Sequence, residues 1–151
     1  MMLELAVPIH RRRNTLGPEL SARRLLRLAR IAMPVFGWSA TVGAWERHFA
    51  PADEPHRRAH ARPSQLSELA HIVANESAKA LLGPECKELS LTLWGLARAE
   101  GYPAELIVGV TDIPFRGHMW IECDGRVLAG ASEARPYDAV ARYAGRGLEK
   151  L

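Results

Sequence analysis

The sequence predicts one α+β domain, helical over its first half and closed by a small antiparallel sheet of at least three strands. Three observations carry this expectation. Residues 1–83 repeat apolar side chains at helical spacing, residues 104–131 become β-branched and alternating around Asp124-Gly125, and an apolar stretch headed by Cys86 joins the two. With 151 residues and 48% apolar content the chain can bury one proper core, and no period suggests repeats.

A first helix is expected from about Glu19 to Met33, with Arg23, Arg27 and Arg30 on one face and Leu25, Leu28, Ala29 and Ala32 on another. A second should cover Ser39 to Phe49. The polar, proline-bearing stretch Ala50 to Arg62 reads as a surface loop. Its His56 and His60, with His48 nearby, have a spacing that could hold a metal, yet no suitable Cys or carboxylate set completes such a site. A third helix is expected from Gln65 to Leu82, with Ser64 as its N-cap after Pro63 and a buried stripe of Leu66, Leu69, Ile72, Val73 and Leu81. Trp38, Trp45 and Trp94 read as core residues or contacts between the two halves.

The chemistry concentrates after residue 83. Pro84 suits a first helical turn, and Cys86 follows at the positive end of the helix dipole, which favours a thiolate. The helix continues apolar through Leu89, Leu91, Leu93, Trp94, Leu96 and Ala97 until Gly101 and Pro103 stop it. Apolar around most of its circumference, it should be a buried central element with Cys86 at a core boundary facing a cleft. Ala104 to Thr111 has the composition of a buried strand, His118 to Cys123 alternates, and Arg126 to Ala131 should return beside it after the Asp124-Gly125 turn. In the register of that turn His118 faces Ala131, Trp120 faces Ala129 and Glu122 faces Val127. His118, Trp120 and Glu122 then share one face, while Met119, Ile121 and Cys123 take the other. This makes Cys123 a packing residue, Cys86 the nucleophile and His118 its base.

Composition bounds the function classes. Two cysteines in unlike settings argue against a disulfide framework and fit a reducing cytoplasm. No apolar stretch reaches the roughly 18 residues of a membrane span. Arginines precede the apolar run Ile31 to Trp45 as they would in a signal peptide, but Pro34, Gly37 and Gly43 interrupt that run and Arg23, Arg24, Arg27 and Arg30 intrude before it, so export is not expected. The net charge of +3 conceals an asymmetry: residues 1–62 carry eleven arginines against five acids, whereas residues 63–151 carry nine bases against twelve acids. The arginine face of the first helix reads as a solvated surface or as a dock for an acidic partner. No nucleic-acid motif or interleaved aromatic platform is present, so nucleic-acid binding is not expected.

The ordered combination of Cys86 on its helix, Gly101-Tyr102-Pro103-Ala104, the strand Glu105 to Val110, Pro114-Phe115, and His118-Met119-Trp120-Ile121-Glu122 before Asp124-Gly125 resembles the transglutaminase-like branch of papain-type folds. More narrowly, it resembles the B2-type leader peptidases of lasso peptide biosynthesis, whose tail Ala141-Arg142-Tyr143 also resembles. The matching features lie within residues 84–143, a catalytic core preceded by a helical half over residues 1–83. The resemblance implies a transglutaminase-like cysteine peptidase that needs no cofactor and cleaves the leader from a lasso precursor peptide. It also implies a separate leader-recognition protein of winged-helix type (B1) and an asparagine-synthetase-like lasso cyclase as partners, all cytoplasmic.

One departure bears on mechanism. The family's triad ends in an acid about where Ala129 and Gly130 stand, and neither can orient an imidazole. Glu133 is the nearest substitute, having the strand parity of His118 if the strand continues; as an alternative it is a cross-strand ion partner of Arg116. Asp138 is a weaker substitute, because Pro136 should end the strand first. Two other readings follow from the departure: another transglutaminase-like acyltransferase or amidase, or a degenerate module that binds a peptide without cutting it.

Overall fold

The structure is a computed structural model that describes residues 17–49, 63–83, 85–129, 134, 136–145 and 147–151. Helix α1 (Pro18–Phe36) opens on a proline, which needs no N–H there, with Glu19 in its first turn. Its buried line is Ala22, Leu26, Ala29 and Met33, spaced by three or four residues. This corrects the expected apolar face: Leu28 is 54% exposed and Leu25 only partly buried. The helix also passes the expected end at Met33. Pro34 sits near the last turn, where it removes a single N–H, and the chain stops instead at Gly37, whose N–H bonds the Met33 carbonyl at 3.0 Å.

Helix α2 (Trp38–His48) follows directly and buries Thr41, Val42 and Trp45. Helix α3 (Pro63–Ala78) begins at Pro63 itself, so Ser64 lies within the helix and not at its cap. Leu66, Leu69 and Val73 are buried as expected, but Leu81 lies beyond the helix and is fully exposed. Ser77 Oγ donates to the Ala74 carbonyl at 2.8 Å and the Ala80 N–H to Ser77 at 3.1 Å, a tightening turn ahead of Gly83.

Helix α4 (Cys86–Ala99) is the hub of the molecule. It is buried without interruption from Ser90 to Arg98 and packs against α1, α2, α3, β1 (Ala104–Thr111) and β2 (Arg116–Cys123). It ends in a Schellman motif, with Tyr102 N–H on the Ala97 carbonyl at 3.0 Å and Gly101 N–H on Arg98 at 2.9 Å. The Trp94 indole then donates to the Ala104 carbonyl at 2.9 Å, fixing the start of β1 against the helix.

Five strands form one antiparallel sheet in the order β3-β2-β1-β4-β5, adding β3 (Arg126–Ala129), β4 (Asp138–Tyr143) and β5 (Leu148–Lys150). Asp124 and Gly125 both take positive φ, 50° and 73°, as the two-residue hairpin requires. Glu122 pairs with Val127 as expected, but Ala129 pairs with Ile121 and not with Trp120. The ladder slips by one residue at Leu128, which stays packed against the helical core.

The two faces of the sheet divide as the alternation predicts. Ala104, Leu106, Met119, Ile121, Cys123 and Tyr143 join the helices in the main core, whereas Ile107, Trp120, Val127, Ala134 and Tyr137 form a second cluster. The helical half therefore covers the Met119/Ile121/Cys123 face. Among the described residues no helix is long and apolar enough to cross a membrane.

Candidate active site

Glu85 caps α4 in a capping box with Glu88, whose carboxylate accepts the Glu85 N–H at 3.0 Å, so Cys86 is the first residue of the helix proper. Lys87 answers the two acids, its ammonium 2.6 Å from Glu85 and its pKa raised mainly by that hydrogen bond. Cys86 is half-buried. One turn on, Ser90 Oγ donates to the Met119 carbonyl at 3.0 Å. Trp94, a further turn on, reaches Ala104, the partner of Cys123 at the far end of β2. The helix thus runs along β2 in the strand's own direction. Stepping back one turn from Ser90, about 6 Å, carries Cys86 past Met119 toward Gly117 and His118.

His118 pairs with Gly109 of β1. Its ring lies 5.0 Å from that of Tyr137 at 30° and 6.0 Å from that of Trp120 at 23°. The Trp120 indole donates to Glu122 at 2.8 Å. Gly109 leaves the space for this group, because a Cβ there would lie 2.5 Å from Cζ3 of Trp120 and 3.0 Å from Cβ of Tyr137. Sequence reasoning did not single out Tyr137. Its neighbours come from two other strands, and a tyrosine after Pro136 carries no local signal of that.

A cleft of about 360 Å³ flanks the first turn of α4, lined by Met33, Pro34 and Trp38 on one side and Glu85, Lys87 and Glu88 on the other. The β1–β2 loop exposes Ile113 and Phe115 at the end of the sheet that carries His118. Cys123 is the opposite of a reactive thiol: it is buried, and burial, reinforced by Asp124 and Glu105, pushes it up to about 11.

The structure therefore brings the first turn of α4 and the His118 segment of β2 to one end of the sheet, but α4 covers the Met119/Ile121/Cys123 face whereas the His118 ring lies with Trp120 and Tyr137 on the opposite face. Glu133 lies outside the described residues, as do His56 and His60. The parity argument that put Glu133 on the His118 face assumed a hairpin ladder without the extra residue at Leu128. Asp138 opens β4, exposed and opposite Val110.

A family model of the transglutaminase-like superfamily matches residues 24–142, from within α1 to the end of β4. The chain belongs to this superfamily. The match reaches well before Pro84, so α1 to α3 belong to the superfamily's domain together with the sheet. No curated protein and no solved structure matches the chain. A transglutaminase-like fold is typically that of cysteine-protease-like enzymes, whose common chemistry is acyl transfer at a cysteine.

Proposed function

We propose that this protein is a cysteine peptidase that removes the leader from a lasso precursor peptide in the cytoplasm. The observation that carries the reading is the placement of Cys86 at the first residue of a buried helix whose next turn is bonded to β2 beside His118. His118 takes the thiol proton as Cys86 Sγ attacks the peptide carbonyl. The backbone N–H of Cys86, among the first of the helix and without an intrahelical acceptor, faces the developing oxyanion. The tetrahedral intermediate collapses with cleavage of the C–N bond, His118 protonates the leaving amine, and a thioester remains. Water, deprotonated by His118, attacks the thioester and releases the carboxylate and the thiol.

The substrate assignment rests on the ordered motif from Cys86 to Asp124-Gly125. The cleft beside the helix start and the exposed Ile113 and Phe115 offer apolar surface to an extended peptide. Leader recognition falls to a separate winged-helix protein, since α1 to α3 are helical and offer no strand-rich module. An asparagine-synthetase-like cyclase takes up the freed core peptide.

Incubation with the precursor peptide and the leader-recognition protein tests the proposal. Wild type should release the leader. Cys86→Ala should abolish cleavage without unfolding, His118→Ala should be nearly as damaging, and Cys123→Ala should keep most activity. Full activity in folded Cys86→Ala protein would end the cysteine-peptidase reading.

A further inference from the structure

The cleft beside the first turn of α4 has one wall that is fixed from the β4–β5 edge of the sheet. We propose that this cleft receives a large, uncharged apolar side chain, carried by the substrate residue whose carbonyl Cys86 attacks. Trp38 is the specificity-determining wall, and Tyr143 is the residue that positions it. The inference rests on the reading of Cys86 as the nucleophile and makes no use of His118.

Glu85 and Lys87, the chain neighbours of Cys86, both line the cleft, so it lies within one residue of the thiol-bearing position. Opposite them stand Met33 and Pro34 at the end of α1 and Trp38 at the start of α2. Gly37, at φ 80°, makes the reversal between these two helices, a conformation that any side chain would strain. The charged groups of the cleft answer one another: Lys87 lies 2.6 Å from Glu85 and Arg30 lies 4.0 Å from Glu88, two bases for two acids. An ionic side chain therefore meets no unbalanced charge there, whereas an apolar one gains the wall of Met33, Pro34 and Trp38. The space of about 360 Å³ is wide enough for an aromatic ring, since an apolar cavity of about 150 Å³ already takes benzene.

Trp38 is held in that wall by the sheet. Its indole N–H donates to the Tyr143 hydroxyl at 3.1 Å, and the two rings meet edge to face at 6.2 Å and 73°. Tyr143 ends β4, buried, in register with Leu106 of β1 and Leu148 of β5, and its ring lies 6.4 Å from that of Trp94 in the core. The turn that follows is fastened to α2 a second time, because Glu46 accepts the N–H groups of Gly145 and Gly147, both at 3.0 Å. Both glycines have positive φ, 98° and 89°, and the guanidinium of Arg98 packs where a Cβ at Gly145 would come. Helix α2 thus grips the β4–β5 hairpin at Trp38 and at Glu46, so the indole stands in the cleft wall already ordered when a substrate arrives.

Acetylated aminoacyl chloromethyl ketones test this without a precursor. The Cys86 thiolate displaces chloride from the methylene on one side of the ketone, and the side chain on the other side reads the cleft. Mass spectrometry assigns the label, and each rate is divided by the rate with glutathione. The phenylalanyl reagent should label Cys86 about five-fold faster than the alanyl one, and the lysyl and glutamyl reagents no faster than the alanyl one. Trp38→Ala should remove the preference while the iodoacetamide rate stays unchanged, and Trp38→Phe, which keeps a ring, should retain most of it. Tyr143→Phe should reduce the preference about two-fold in the wild type and alter nothing in the Trp38→Phe background, where no indole N–H is left to hold. Labelling of the buried Cys123 reports unfolding; if Trp38→Ala exposes it, Trp38→Gln takes its place with the same loss expected. Equal labelling by the phenylalanyl and alanyl reagents, a preference for either charged reagent, or a preference that survives loss of the Trp38 ring overturns the assignment of the cleft. An undiminished preference in Tyr143→Phe overturns its positioning role. The nucleophile reading fails separately: iodoacetamide would then label Cys86 no faster than glutathione, whatever side chain the ketones favour.

Discussion

At the scale of single residues, two thiols of one chain have been given opposite fates by their surroundings. Cys123 is enclosed between β2 and the helices and pushed up to about 11, whereas Cys86 opens a helix at the rim of a cleft. The alternation of β2 already separated them in the sequence, because Cys123 shares its parity with Met119 and Ile121. The orienting group of His118 was not legible in the same way. Its assignment to Glu133 assumed an unbroken hairpin ladder; the described part of that ladder carries one extra residue at Leu128, and if the shifted pairing continues, Glu133 leaves the His118 face. Glu133→Gln is therefore expected to keep turnover within about two-fold of wild type, and charge reversal at Arg116 to do as little, as for exposed pairs worth about 0 to 1 kcal/mol. The check is kcat for precursor cleavage in both variants. A large loss in Glu133→Gln with Arg116 reversal silent would give the orienting role to the acid.

At the scale of elements, the packing of α1 on α3 turns on one enclosed carboxylate. The Glu76 side chain is 1% exposed, accepts Arg23 Nε at 2.8 Å and Lys79 at 2.6 Å, and is held at about 2, mainly by the Arg23 hydrogen bond. A carboxyl whose folded pKa lies below its ordinary 4.5 stabilises the fold above that ordinary value, and the contribution is lost as the pH falls toward about 2. Urea midpoints of the wild type should therefore drop over that interval. Glu76→Gln should be less stable at neutral pH and show a flatter acid limb; parallel curves for the two proteins would contradict the assignment. Such a pair also shows what the sequence could not say. Arg23 and Arg30 were legible as one charged face of α1, but their partners Glu76 and Glu88 lie on α3 and α4, and only the packing brings them there. The local signals were sound where the physics is local: the Asp124-Gly125 turn, the stop at Gly101, the buried run of α4. The strands β4 and β5 and the register slip depend on side chains far apart in sequence, and no periodicity encodes those.

At the scale of the whole molecule, the charge asymmetry takes a definite place. With Arg23 turned to Glu76 and Arg30 lying 4.0 Å from Glu88, Arg24 and Arg27 are the exposed arginines of α1 that make no ion pair among the described residues. Together with Leu28 and Ile31, exposed by 54% and 62%, they follow helical spacing along one side of α1, away from the sheet that carries His118. A mixed basic and apolar face of this kind suits an acidic amphipathic partner, by steering and then by burial. The separate leader-recognition protein should accordingly raise kcat/KM for precursor cleavage at low substrate concentration. Arg24→Glu with Arg27→Glu should remove most of that stimulation while the slow cleavage without the partner stays unchanged, because neither residue lines the cleft at the start of α4. Raising the salt concentration should weaken the stimulation in the wild type and barely alter the double variant, since exposed charges are screened within about 8 Å at physiological ionic strength. Equal cleavage rates with and without the partner would mean that this chain recognises the leader unaided. Stimulation that survives the double charge reversal would place the docking surface elsewhere than α1.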